Sequence, residues 1–135
     1  MIKVLDAWAV LAWLKGEGAA AKGVRLLLRS AARKKIRLRL SLINLGEVYY
    51  NTAKTIGEAR AEAVLKQLRL APISFVSISE PLVLKAARLK AHFPISYADA
   101  FAAATAREEN AILVTGDRDF KVLEKERIVS VDWLS

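Results

Sequence analysis

An α/β fold with a parallel central sheet is what this sequence predicts. Three observations predict it: five short apolar runs, helical stretches rich in Ala, Leu, Lys, Arg and Glu between them, and only 135 residues in which to alternate the two. Parallel neighbours need crossover connections, so helices must cover both faces. The expected architecture is three layers, α/β/α, around a parallel five-stranded sheet, closed as a single domain over 1–135.

In chain order, period-two or continuous apolar runs place strands at 2–5, 37–41, 73–77, 111–114 and 128–131. Helices are expected at 8–15, 18–34, 45–55, 57–70, 81–91, 97–108 and 120–125. "SEPL" offers Ser79 as an N-cap with Pro81 in the first turn. "SYAD" is a variant of the capping box and puts Asp99 in the first turn of its helix.

A hydrophobic content of 54% is incompatible with a disordered chain. No apolar run approaches the ~20 residues of a membrane span, because Lys15, Arg25 and Arg29 interrupt the longest candidates. "MIKVLDAWAV" has no small-residue cleavage site, so no signal peptide is expected. The absence of Cys removes a disulfide framework and thiolate metal sites, in keeping with a cytoplasmic protein.

The net charge of +8 is concentrated. Between Glu17 and Glu47 there is no acid, while Lys22, Arg25, Arg29, Arg33, Lys34, Lys35, Arg37 and Arg39 all fall there. Such a patch attracts a polyanion such as nucleic acid, or simply solvates a helix face. Arg25, Arg29 and Arg33 are four apart and share one side of a helix, the first choice for phosphate contact.

Ligands of open parallel sheets bind beyond the carboxyl ends of the strands. Asp6 follows the first strand, Glu47 the second, and Asp117 and Asp119 the fourth, in "ILVTGDRDF". Asp99 opens the helix leading to the fourth strand, and only Asp132 of the Asp residues lies elsewhere. Singly these acids are helix caps, and "TGD" is a turn in which Gly116 supplies a conformation that a Cβ would resist. Together they repel, and a partly desolvated cluster takes up protons unless a cation compensates. Oxygen ligands without His or Cys suit Mg²⁺ or Mn²⁺, not zinc. Such a centre suits phosphodiester hydrolysis, since the ion activates water and stabilises developing charge.

Other chemistries lack their residues. One histidine, His92, is too few for a two-imidazole ribonuclease, and there is no P-loop, G-x-S-x-G or Cys nucleophile. A Mg²⁺-dependent phosphatase would want D-x-D after the first strand, where Trp8 takes the second place.

With "VLDAWAVLAWLKGE", "INLGEVYY", "ISYADAFAAATA" and "LVTGDRDF" in this order, the chain resembles a PIN domain, and within that family a VapC-type toxin ribonuclease. The resemblance spans essentially the whole chain. It implies a Mg²⁺- or Mn²⁺-dependent endoribonuclease acting on RNA, a cognate antitoxin protein as partner, and a homodimer. It makes Asp6 and Asp99 the principal metal ligands and Glu47 and Asp117 the other catalytic acids, with Asp119 supporting a second ion. Thr115 resembles the hydroxyl that fixes the acidic loop, although ending a strand would explain it as well. An RNA-processing nuclease outside a toxin–antitoxin pair, and a non-catalytic RNA- or protein-binding module on the same scaffold, remain alternatives.

Trp8 departs from the family pattern, which there favours a small hydroxyl or amide. An indole accepts no hydrogen bond. It either packs beside Leu11 and Ala12 or stacks on a base near the scissile phosphate. Arg118, between two acids, either neutralises a phosphate oxygen or pairs with a neighbouring carboxylate.

Overall fold

The computed structural model describes residues 1–134. The elements run β1 (Ile2–Leu5), α1 (Ala7–Lys15), α2 (Gly18–Ala32), β2 (Arg37–Ser41), α3 (Leu42–Ile56), α4 (Glu58–Leu70) and β3 (Ile73–Val76). They continue with α5 (Glu80–His92), α6 (Tyr97–Glu108), β4 (Ile112–Thr115), a 3₁₀ turn (Arg118–Phe120), α7 (Lys121–Lys125) and β5 (Val131–Trp133). The five strands form one sheet in the order β3-β2-β1-β4-β5. Every adjacent pair is parallel, with Leu5 opposite Leu40 on one side and Val114 on the other.

Alternation along the strands separates two cores. Val4 and Leu113 face α5, α6 and α7, packing with Leu82, Phe101, Phe120 and Leu123. Leu5, Leu40 and Val114 face α1 to α4, packing with Val10, Val24, Val48 and Leu68. The three-layer expectation therefore holds, and period two explains it, since adjacent residues of a strand point to opposite faces. Helix α6 is buried from Asp99 to Ala106, and its alanines let it lie close to the sheet. Thr105 fits there because its hydroxyl donates to the Phe101 carbonyl at 2.7 Å. Among the described residues no helix is long and apolar enough to cross a membrane.

Several expected boundaries move, each for a local reason. The Ser41 hydroxyl accepts from Ile43 N at 3.1 Å, so α3 starts at Leu42, ahead of the expected 45. Glu47 consequently stands in the second turn and not at the helix start. Lys34 takes a left-handed φ of 61°, ending α2 early. The last strand is Val131–Trp133 and not 128–131. Arg127, at φ 59°, donates to the Glu124 carbonyl, and Ile128 N donates to the Leu123 carbonyl. Residues 127 and 128 therefore finish α7, and the apolar character of Ile128 and Val129 reflects packing against the core beneath β4.

Candidate active site

The sheet reverses its strand order at β1, with β2 on one side and β4 on the other. A crevice opens beyond strand ends at such a point. Asp6 leaves β1 there. Its Oδ1 accepts from Ala9 N at 2.8 Å and so caps α1, and its Oδ2 accepts from the Thr115 hydroxyl at 2.5 Å. At 2% exposure its carboxyl is pushed up to about 7, chiefly by burial. The two hydrogen bonds oppose that rise, while the charges of Asp99 and Asp117 add to it.

Thr115 ends β4 and also joins two acids. While its hydroxyl donates to Asp6, its oxygen accepts from Asp117 N at 2.9 Å. Asp117 in turn accepts from Asp119 N at 3.0 Å, which starts the 3₁₀ turn. Across the crevice, Ser96 caps α6 by accepting from Asp99 N at 3.1 Å. Asp99 is 9% exposed, and its carboxyl is pushed up to about 6 by burial first and then by the Asp117 charge.

Three of the acids meet. Asp99, Asp117 and Asp119 each offer a carboxylate oxygen within 4.8 Å of the other two. Asp6 is outside this trio, and both of its oxygens have protein partners. Glu47 approaches from α3. Its carboxyl is raised above the usual range by burial, with a smaller push from Asp117, and a hydrogen bond from Asn44 lowers it.

Asn44 is a site residue that motif spacing alone did not single out. It is 1% exposed, and its amide donates to Glu47 Oε1 at 3.3 Å and to the Ala98 carbonyl at 3.1 Å. It thereby ties α3 to the residue just before Asp99. The only available signal was its place one helical turn before Glu47 in "INLGE".

Gly116 is glycine for another reason than expected. Its φ is not left-handed, but a Cβ there would run into the benzo ring of Trp8 at Cη2, Cζ3 and Cζ2. Trp8 itself is 37% exposed, between Ala7 and Ala9 at 3% and 0%, so it does not join the core beside Leu11.

The positive residues are arranged differently from the acids. Arg37 pairs with Ile2 at the opposite end of the strands, so Arg33, just before β2, lies at the edge away from Asp6. Arg25 donates to the Gly16 carbonyl at 3.3 Å, and Arg29 and Arg33 are exposed. Arg118 is exposed within the acidic loop and forms no ion pair among the described residues. Asp132, the remaining Asp, pairs with Lys3 at 2.7 Å. A concavity of about 1000 Å³ also lies at the far edge, between Arg88, Arg107 and Arg127.

A PIN-domain family model matches residues 3–126. The chain belongs to the PIN domain family. No curated protein sequence matches it significantly. Among solved structures this PIN domain is similar to VapBC2 from Rickettsia felis bound to promoter DNA, with a TM-score of 0.76, 21% identity and full coverage of both chains (100% of each). VapBC from Salmonella typhimurium, also bound to DNA, aligns at a TM-score of 0.75 and 15% identity over 100% of this chain and 99% of that one. VapC20 from Mycobacterium tuberculosis, a toxin that cleaves the sarcin–ricin loop, aligns at 0.68 and 21% identity over 90% and 94%. At these identities the likeness is one of fold. The family match ends at residue 126, just past α7, so β5 lies beyond the matched region.

Proposed function

We propose that this PIN domain is a metal-dependent endoribonuclease and the toxin of a toxin–antitoxin pair. The observation that carries the reading is the meeting of Asp99, Asp117 and Asp119 within 4.8 Å at the strand ends. Carboxylates from α6 and from the loop after β4 crowd together there, and among the described residues none of the three forms an ion pair with a basic side chain. The donor set is oxygen only, which fits Mg²⁺ or Mn²⁺. Such an ion supplies charge for the phosphoryl oxygens and a more acidic water.

The chain's own groups divide the remaining work. Asp6 and Thr115 hold the acidic loop against β1, and Asp6 completes the charge around the ion. Glu47, oriented by Asn44 and raised in pKa, is placed to take the proton of the attacking water. Arg118 meets a non-bridging phosphate oxygen. The basic face of Arg25, Arg29 and Arg33 adds non-specific attraction for the RNA beyond the cleft.

An antitoxin helix would lie in the groove of about 710 Å³ between α1, α3 and α4, lined by Leu11, Trp13, Leu14, Ile56 and Val64. Its apolar floor and the 60% exposure of Ile56 support a protein partner there. A homodimer and a cytoplasmic location complete the reading.

The test is incubation with total cellular RNA in Mn²⁺ and in EDTA, beside the Asp6→Asn and Asp99→Asn variants. Cleavage by the wild type in Mn²⁺ alone, lost in both folded variants, is expected. Undiminished cleavage by either variant would remove the assignment.

A further inference from the structure

We infer that Trp8 is a stacking platform that selects an unpaired nucleobase beside the scissile phosphate. The inference rests on the nuclease reading above and adds the form of nucleic acid the site accepts. Trp8 is the second residue of α1, just beyond the end of β1, and its benzo ring rests above Gly116, just beyond the end of β4. These strands are neighbours, with Leu5 opposite Val114. The indole therefore reaches from one strand end to the next, alongside the loop that carries Asp117 and Asp119.

Two features separate Trp8 from a packing residue. Helix α1 buries Ala7, Ala9 and Val10 to 3% exposure or less, whereas Trp8 keeps 37%. The other feature is the matching absence of a side chain at residue 116, where a Cβ would displace the ring. A ring held at its benzo end against the Gly116 backbone and still 37% exposed offers a firm surface at little entropic cost.

Chemistry favours a base as the occupant. A cationic side chain at this place would pair with Asp117 or Asp119 and compete with the metal. A neutral indole leaves the carboxylates free and still binds any base through its π-face. A base within a duplex already has both faces stacked, so only an unpaired or extruded one can use the platform. Tyr97, 45% exposed and two residues before Asp99, adds a further aromatic at the same edge.

The experiment measures binding of a labelled oligoadenylate, with Ca²⁺ replacing the catalytic ion, to wild type, Trp8→Leu and Trp8→Phe. The same chain annealed to oligouridylate, and an abasic chain of equal length, serve as further ligands. Trp8→Leu should bind the single strand about tenfold more weakly, the order lost with one base–aromatic stack. Trp8→Phe should stay within about threefold of wild type, because it keeps a π-face. Duplex and abasic ligands should not distinguish the three proteins. Equal single-strand affinity of Trp8→Leu and wild type would overturn the platform, as would an equal loss on the abasic chain. Trp8-dependent binding without cleavage in Mn²⁺ would remove the nuclease and leave the platform. Cleavage with Trp8-independent binding would do the reverse.

Discussion

The Thr115 hydroxyl donates to Asp6 Oδ2 at 2.5 Å across a sequence separation of 109 residues, and the same oxygen accepts from Asp117 N. One proton and one lone pair thus connect the end of β1 to the acidic loop after β4. Thr115→Val keeps the volume and removes both bonds. The bond to the Asp6 carboxylate contributes about 1.5–3 kcal/mol, and the neutral one from the Asp117 amide about 0.5–1.5 kcal/mol. Urea unfolding should show a loss of that order, and Mn²⁺-dependent cleavage should fall, with Thr115→Ser restoring most of both.

Asp6 and Asp99 titrate in the native state near 7 and near 6, against an ordinary value of 3.8. Raised acid pKa values mean that the folded protein binds protons that the unfolded chain has released. Metal-free stability therefore falls as pH rises from about 4 through 7. A divalent ion replaces the protons, so calorimetry should give a larger Mn²⁺-induced rise in Tm at pH 8 than at pH 5. An equal rise at both values would contradict the raised carboxyls.

Asp99→Asn removes one charge from the trio without much volume. The metal-free protein should become as stable as wild type or more so, because a repelling carboxylate is gone. The Mn²⁺ response should shrink, and cleavage should drop at least about a hundredfold if one catalytic ligand is lost. Thermal unfolding with and without Mn²⁺, beside a cleavage assay, separates these effects.

Asn44→Ala would leave the Ala98 carbonyl without its amide donor and Glu47 without its guide. The Ala98 carbonyl keeps its helical partner within α6, so each lost side-chain bond costs about 0.5–1.5 kcal/mol. Equilibrium unfolding should report that loss. In the pH–rate profile, the limb assigned to Glu47 should move upward, because the bond that lowers its carboxyl is missing.

Gly116→Ala should destabilise the protein by about 1–3 kcal/mol through overpacking against Trp8. Combined with Trp8→Ala, the cost should be smaller than the sum, since the colliding ring is absent. Additive effects in the double-mutant cycle would separate the two residues.

The order of strands and helices was legible because each element carries its own pattern. Ser79 and Ser96 are the caps that local spacing indicated, both confirmed by hydrogen bonds to Leu82 N and Asp99 N. The fifth strand was misplaced because apolar residues closing α7 look like a strand when read along the chain. Gly116 was read as a conformational glycine because turns commonly need one, while the ring that requires it lies over a hundred positions earlier in the sequence.

By itself the sequence determined a parallel α/β domain and the placing of acids just after its strands, since periodicity, caps and composition act over a few residues. Tertiary structure decided which three carboxylates share a point, that Asp6 stays outside that trio with two protein partners, and that Trp8 rests on Gly116. It also set Arg33 at the edge away from Asp6. Each of these depends on strand register and packing between segments distant in the chain, and local spacing carries no measure of those distances.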